Sequence, residues 1–190
     1  MGTANAARIR RARQCLRAMV LAASLLCDPP RSAHGQPGAQ QARVKAIYMR
    51  KILSFVQWPD EAFSGKDKTF RFCVDGDHLF GFAVAEEMKD ITIGGRNVEV
   101  QWAPKDRDLK ACQALFVAAA DAKHIAKVLE NVKGATVLTF GETEGFLDAG
   151  GIVQLSSEDS VIRFQINLAA ARIAGLRVDA RLLGLAKRVV

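Results

Sequence analysis

In residues 42–190, hydrophobic and polar positions repeat with the period of a strand in some segments and with the period of a helix in others. A period of two, or a short continuous apolar run, predicts strands at 69–76, 113–119 and 135–141 and hairpins at 91–103 and 152–167. A helical period predicts helices at 42–58, 78–90, 121–134, 168–176 and 179–189. Strands that alternate with helices favour a parallel sheet covered on both sides, and hairpins add antiparallel pairs. The prediction is a single α/β domain with a mixed β-sheet of about six strands sandwiched by helices.

The first predicted helix, 42–58, has one apolar face, formed by Val44, Ile47, Tyr48, Ile52, Phe55 and Val56. Pro59 is expected to end this helix, because proline restricts the residue before it. Trp58 would then be its last residue, in a core or lid position where a buried indole N–H needs a partner. The polar residues 36–42 include proline and glycine and predict a short flexible lead-in.

Residues 1–35 have the pattern of an export signal. The segment up to Arg17 carries five arginines and no acidic residue, and an uncharged apolar run follows at 18–27. Ala33 and Gly35, two small residues separated by one position, then form the pattern of a cleavage site after Gly35. The apolar run is shorter than the ~20 residues that cross a bilayer, which leaves an uncleaved membrane anchor as the weaker alternative. We therefore expect residues 1–35 to be a signal peptide, 43–190 to form the domain, and the protein to be periplasmic.

The net charge of +7 comes mostly from this leader. The leader holds six of the 27 basic residues and one of the 20 acidic residues, so 21 basic and 19 acidic residues remain. A strongly basic chain suggests a nucleic acid or an anionic membrane as its partner. Because the remaining chain is nearly neutral, we expect no nucleic-acid partner.

Two cysteines, Cys73 and Cys112, lie outside the leader. In an exported chain a cysteine pair suggests one disulfide, and two buried free thiols are the alternative. Cys73 falls late in one predicted strand and Cys112 just before another. If these strands are parallel and unstaggered, the bridge requires a bent approach to the second strand, because bridged Cα atoms lie within ~7 Å.

The tightest group of chemistry-bearing residues is Cys73, Asp75, Asp77 and His78, where a strand meets a helix. Asp77 is expected to cap the helix 78–90. The group has no second histidine at helical spacing and no CxxC pair, so it does not predict a metal site. His124 lies among polar residues of a predicted helix. The chain has no GxSxG motif, which would mark a nucleophilic serine. We therefore expect no catalytic residue, metal or cofactor, and a binding protein rather than an enzyme.

Two further features have both a structural and a functional interpretation. The glycine pairs at 94–95 and 150–151 do not begin phosphate-binding motifs, and turns explain them, the second pair closing a helical turn at 142–151.

Five basic residues lie near the C-terminus, and these are Arg172, Arg177, Arg181, Lys187 and Arg188. They either complement helix dipoles or form a partner-binding patch.

Six segments in order resemble the YfiR-like family of periplasmic regulators. They are VKAIYMRKILSFVQWPDEAF (44–63), FRFCVDGDHLFG (70–81), GGRNVEV (94–100), ACQALFVA (111–118), TFGETEGFLDAGGIVQL (139–155) and RFQINLAAARIAGLRVDARLLGLAKRV (163–189). Six positions within these segments are the most distinctive, and we call them the signature residues: Trp58, Pro59, Gly150, Gly151, Asn167 and Arg181. The resemblance spans nearly all of the chain after the leader.

The resemblance implies an exported regulator without enzymatic activity. Such proteins bind the periplasmic sensor region of an inner-membrane diguanylate cyclase and keep cyclic di-GMP low, and an OmpA-like outer-membrane lipoprotein can sequester them. The resemblance places the family's structural disulfide at Cys73 and Cys112. This chain has no second cysteine pair towards its C-terminus, where the better-known member has one. The expected contact surfaces are the first helix and the basic C-terminal helices, and a homodimer is also allowed.

A different class of function is compatible with the same residues. The crevice at the strand ends near Gly76 and His78 is where α/β sheets commonly bind small molecules. A periplasmic small-molecule-binding sensor domain is therefore the alternative prediction.

Overall fold

The computed structural model describes residues 37–63, 69–76, 78–103, 108–118, 121–158 and 161–190. The helices in these ranges are α1 (Pro37–Leu53), α2 (His78–Met88), α3 (Ala122–Val132), α4 (Leu168–Ile173) and α5 (Ala180–Leu185). The strands are β1 (Val56–Gln57), β2 (Phe70–Asp75), β3 (Thr92–Ile93), β4 (Arg96–Trp102), β5 (Ala114–Val117), β6 (Leu138–Gly141), β7 (Val153–Glu158), β8 (Val161–Ile166), β9 (Arg177–Val178) and β10 (Arg188–Val189). None of the helices in these ranges combines the length and apolar character needed to span a bilayer. The predicted leader 1–35 and the predicted cap Asp77 lie outside the described residues.

Eight of these strands form one mixed sheet, in the order β10-β8-β7-β6-β5-β2-β4-β3. The five strands from β4 to β7 run parallel. β3 pairs antiparallel with β4, and β8 pairs antiparallel with β7 and parallel with β10. β1 and β9 form a separate antiparallel pair. The predicted α/β class with one mixed sheet is confirmed. The sheet has eight strands and not about six. β3 and β4 are the two arms of the predicted hairpin 91–103, whereas β10 at the edge lies in a segment that was predicted to be helical.

Helices cover both faces of the sheet. Alternate residues of the central strands point to opposite faces, so that Phe72 and Phe116 belong to one apolar cluster and Leu115 and Val117 to another. The first cluster takes in α1, α2, α4 and α5. The second is covered by α3 through Ile125, Val128, Leu129 and Val132, the four residues predicted to face inward. Two cores on one sheet explain why its central strands are apolar on both sides.

The first helix differs from its prediction in three ways. It begins at Pro37, so most of the predicted lead-in 36–42 is helical; proline suits the first helical turn, where its missing N–H is not needed. It ends at Leu53, because Val56 and Gln57 pair with β9 before Pro59 is reached. Its buried face is also rotated and consists of Ala42, Ala46, Met49, Ile52 and Leu53. The predicted face is wrong at Val44, which is exposed, and at Ile47 and Tyr48, which are half-buried.

The last predicted helix, 179–189, is also shorter than expected. Helix α5 ends at Leu185, and Ala186 adopts an extended conformation. Lys187 then donates its backbone N–H to the oxygen of Phe164, and β10 pairs in parallel with the end of β8. The helical period misses this change because the sheet edge offers backbone partners to the chain's last residues.

The predicted disulfide joins Cys73 and Cys112, with their Cα atoms 6.0 Å apart. β2 and β5 are parallel and in register, with Cys73 opposite Leu115. A straight strand would place Cys112 three residues, or about 10 Å, away along that direction. The short 3₁₀ helix Leu109–Ala111 instead brings Cys112 onto the face covered by α3. The bent approach predicted for an unstaggered pair therefore occurs.

Replacing both Cys73 and Cys112 by alanine should destabilise the protein without changing its fold. The bridge closes a loop between positions 39 residues apart. On the chain-entropy model this loop contributes about 3–4 kcal/mol to the free energy of unfolding. Thermal unfolding of the double variant should start roughly 10 °C lower than that of the wild type. Adding a reductant should lower the wild-type melting temperature by a similar amount and leave the double variant unchanged; a reductant-insensitive wild type would contradict the prediction.

Candidate functional site

The chain leaving α1 is fixed by Trp58 and Pro59. The indole ring of Trp58 packs edge-on against Phe70, with ring centroids 4.9 Å apart. Its Nε1 donates a hydrogen bond of 3.0 Å to the backbone oxygen of Gln113. Pro59 directly precedes the short 3₁₀ helix Asp60–Ala62. Trp58 is thus a partly buried core contact whose N–H has the partner that burial requires.

Gln113 is a residue that the sequence analysis did not single out. Its side chain is almost fully buried, at 4% exposure. Its Oε1 accepts from the backbone N–H of Arg71 at 2.8 Å, and its Nε2 donates to the oxygens of Ala62 at 2.8 Å and Ala111 at 3.3 Å. Its backbone oxygen accepts from Leu138 as well as from Trp58. Because every polar atom of this amide has a partner, burial leaves none unsatisfied. A lone glutamine before an apolar run was its only signal in the sequence.

Gly151 makes room for the ring of Phe146. A Cβ atom at Gly151, or at Gly141 on the other side, would lie inside the van der Waals radius of that ring. Phe146 is 1% exposed, in the turn that precedes Gly151. Gly150 has a φ of +97°, a conformation that favours glycine. The glycine pair therefore closes the turn around a buried aromatic ring, as predicted for a turn.

Asn167 connects this turn to α4. Its Oδ1 accepts from the backbone N–H of Ala170 at 2.8 Å and caps the helix, while its Nδ2 donates to the oxygen of Leu147 at 3.2 Å. On the other side of the turn, the backbone N–H of Ile152 donates to the hydroxyl of the buried Thr139. Both ends of the turn are therefore held by side chains.

Arg181 lies at the start of α5. Its Nε and Nη2 donate to the two carboxylate oxygens of Asp179 at 3.0 and 2.8 Å, and its guanidinium lies 5.3 Å from the ring centroid of Phe55. These side-chain hydrogen bonds, together with one from the backbone N–H of Arg181, lower the pKa of Asp179 to about 2. Asp179 also caps α5, next to the short β1–β9 pair. The backbone N–H of Asp179 donates to the oxygen of Phe55 at 2.9 Å and so holds the C-terminal segment against the exit of α1.

The basic C-terminal residues do not behave as a group. Arg172 lies in the last turn of α4, as the helix-dipole interpretation requires, but Arg181 lies in the first turn of α5. Lys187 pairs with Glu158 at 2.5 Å, and its hydrogen bond lowers the pKa of that carboxyl. The dipole interpretation is therefore wrong for Arg181, which is held by Asp179.

The structure separates the cluster predicted at the end of β2. Cys73 is in the disulfide, and Asp75 pairs with His124 at the start of α3, Oδ2 to Nε2, at 2.6 Å. His78 begins α2, and its ring stacks at 6.2 Å from Trp102. Within the described ranges no group of three or more His, Cys, Asp or Glu side chains could hold a metal ion. The contact between Asp75 and His124 was not predicted, because the two residues are 49 positions apart.

A crevice of about 400 Å³ opens beside these strand ends, on the α1 and α2 side. Its lining includes Lys45, Leu79, Phe116, Ala118 and Glu142. Lys45 and Glu142 form an ion pair of 2.7 Å there. The lining comes from α1, α2 and the residues at the carboxyl ends of β5 and β6, the end of the sheet where α/β folds commonly bind ligands. It does not include Gly76 or His78, near which the crevice was predicted.

Gly151→Ala should destabilise the protein, because the new methyl group must displace Phe146. Such overpacking costs about 1–3 kcal/mol of unfolding free energy, measurable by urea denaturation. Gly184→Ala is the matched control, since nothing lies within 4 Å of its added Cβ, and its stability should be unchanged or slightly raised. In a Phe146→Ala background the extra cost of Gly151→Ala should disappear; equal costs in both backgrounds would show that the ring is not the cause.

The ion pair between Asp179 and Arg181 should make stability depend on pH in the acid range. The folded pKa of Asp179, about 2, is below its ordinary value of 3.8, so the pair stabilises fully above that ordinary value. The contribution should be lost as the pH falls from 3.8 through 2. Arg181→Gln should raise the Asp179 midpoint towards 3.8 in a carboxyl-carbon NMR titration. Arg177→Gln, a neighbouring charge change, should leave it in place; the same shift in both variants would refute the assignment.

Comparison with known proteins gives one match at the level of a family. The model of the YfiR/HmsC-like family matches residues 42–187. No curated protein matches the chain. A similar solved structure is a conserved domain protein from Vibrio cholerae O1 biovar El Tor, with 14% sequence identity and a TM-score of 0.49 over 78% of this chain and 60% of that chain. The chain thus spans about 60% of the length of the solved chain that it resembles.

The family match covers most of the chain and includes the disulfide and all six signature residues. It confirms the family inferred from the six sequence segments. Members of this family are regulators of the periplasm that act with diguanylate cyclases. The chain belongs to the YfiR/HmsC-like family.

Proposed function

We propose that this protein is an exported, non-enzymatic regulator that binds the periplasmic sensor part of an inner-membrane diguanylate cyclase and represses cyclic di-GMP synthesis. The family match over residues 42–187 is the observation that carries the proposal. The side chains of the signature residues support it as well. Trp58, Asn167 and Arg181 are each engaged in contacts that hold the fold together. These contacts agree with a protein in which the signature residues maintain the fold that a partner binds.

The proposed compartment agrees with the cysteine chemistry. Cys73 and Cys112 form a disulfide, and such bridges persist in oxidising compartments such as the bacterial periplasm. The arginine-rich, then apolar, pattern of residues 1–35 is that of a cleaved export signal. After export the chain meets only the outward-facing part of an inner-membrane protein. The sensor part of the cyclase is therefore the accessible partner.

Repression requires that the regulator bind the inactive state of the sensor more tightly than the active one. A ligand shifts such an equilibrium only by its differential affinity for the two states. Moving a sensor from about 1% to 99% inactive takes roughly a 10⁴-fold preference. An OmpA-like outer-membrane lipoprotein would reverse this by competing for the regulator, which lowers the concentration available to the cyclase.

A second candidate function rests on the crevice at the strand ends. Its volume of about 400 Å³ lies within the usual range for small-molecule sites. Apolar side chains such as Leu79 and Phe116 and the charged pair formed by Lys45 and Glu142 line it. A periplasmic sensor that binds a small molecule in this crevice is therefore the alternative to a pure protein-binding regulator.

Deleting the gene should raise cellular cyclic di-GMP, and the full chain supplied from a plasmid should restore the low level. A chain lacking residues 2–35 is the matched control, because it stays in the cytosol and should fail to restore repression. Mass-spectrometric measurement of the nucleotide in the three strains checks the prediction. An unchanged level after deletion, or repression by the leaderless chain, would contradict it. A metabolite that raises the melting temperature while cyclic di-GMP stays constant would favour the sensor function instead.

A further inference from the structure

Helix α2 is apolar on both of its sides. One side is buried through Phe80, Val84 and Met88. On the other side Leu79 and Phe82 are 55% and 65% exposed. Helices that are apolar all round are normally covered all round, and neighbouring exposed apolar side chains mark interaction sites. Leu79 and Phe82 therefore form an exposed apolar patch on the outer side of α2.

The exposed ring of Phe82 is held in place. It packs edge-on against Trp102 of β4, with ring centroids 5.2 Å apart. Trp102 in turn lies directly on the helix backbone, since a Cβ at Gly81 would come within 2.7 Å of its Nε1. A fixed aromatic side chain loses little conformational freedom when a partner covers it. Such side chains are typical of the residues that dominate binding energies.

Leu79 and Phe82 form one wall of a groove of about 400 Å³ between α1 and α2. We call it the α1–α2 groove, and its lining is Ala39, Ala42, Arg43, Leu79, Phe82, Ala83, Glu86 and Glu87. The three alanines permit close approach of another backbone. Leu79 and Phe82 stand one helical turn apart, which matches the spacing of side chains on a helix laid along the groove.

The charged side chains at the rim of the α1–α2 groove are Arg43, Glu86 and Glu87, and among the described residues only the Glu86 carboxylate of these three lacks an ion-pair partner. Glu87 pairs with Arg43 at 2.9 Å and lies 4.0 Å from Arg50. Glu86 is exposed and forms no ion pair with any described residue. A partner with a basic side chain beside Glu86 would complement this rim.

We propose that the α1–α2 groove binds one amphipathic helix of the cyclase's periplasmic region. The apolar side of that helix covers Leu79 and Phe82, and a lysine or arginine on its border pairs with Glu86. This inference rests on the proposed function, and it assigns the contact to the first two helices, away from the basic C-terminal segment. Helix-in-groove binding of this kind uses few anchoring side chains, so single substitutions should have large effects.

The test uses the full chain in the gene-deletion strain and a genetically identified partner. The probe is the periplasmic region of the transmembrane cyclase whose own deletion reverses the rise in cyclic di-GMP. Leu79→Ser with Phe82→Ser should weaken binding to this probe at least tenfold and abolish repression. Glu86→Lys should weaken it several-fold, with a smaller effect at high salt. Ile173→Ser on α4 is the matched control, since Ile173 is 81% exposed, and it should bind like the wild type.

Folding and position are checked separately. All the substituted side chains are exposed, so melting temperatures should stay within a few degrees of the wild type. A photo-crosslinking amino acid at position 82 should form an adduct with a helix of the cyclase, and one at position 173 should not. Wild-type affinity of the Leu79 and Phe82 variant, loss of binding only in Ile173→Ser, or crosslinks only to a second copy would each overturn the inference while the proposed function stands. Failure of the wild-type chain to bind or repress would refute the proposed function itself.

Discussion

The approach of the chain to the central strand β5 is the point on which the rest of the structure depends. Two adjacent residues, Cys112 and Gln113, fix the path of the chain at this point. Cys112 is bonded to Cys73 on the face covered by α3, and Gln113 uses every polar atom it has to bind the chain around it. A parallel strand in the middle of a sheet needs its register set on both sides. The hydrogen bonds between Gln113 and Arg71 of β2 on one side, and the one from the N–H of Leu138 of β6 on the other, set it.

The same residue connects the sheet to the segment that leaves α1. The indole of Trp58 and the oxygen of Ala62 both bind Gln113, so the path after α1 depends on the start of β5. The β1–β9 pair and the hydrogen bond from the backbone N–H of Asp179 to the oxygen of Phe55 then attach the C-terminal segment to that path. A connected series of contacts therefore leads from the disulfide to the last helix. Each contact is short and polar, and the apolar cores fill the space between them.

Patterns in the sequence predicted the elements of this fold better than the contacts between them. Periodicity located the strands and the inward face of α3, and the cysteine count suggested the bridge, because these features depend on neighbouring residues alone. The face of α1 was wrong because alanines and a methionine, less marked than Val44 and Ile47, face the core. Gln113 and the contact of Asp75 with His124 could not be predicted, since each depends on residues about fifty positions away or on a buried backbone group.

Several reactive side chains of this fold are used in structural contacts. In the described part of the chain, both cysteines are in the disulfide, Asp75 and His124 bind each other, and the carboxylate of Asp179 is held by Arg181. These groups are therefore committed to holding the fold together. The apolar side chains on α2 are in the opposite situation: they are rigidly supported from below, by Trp102 and Gly81, and open above. A rigid scaffold with an exposed, preorganised apolar surface is the arrangement that a regulator acting by occupancy requires, because its effect depends on how much more tightly it binds one state of its partner than the other.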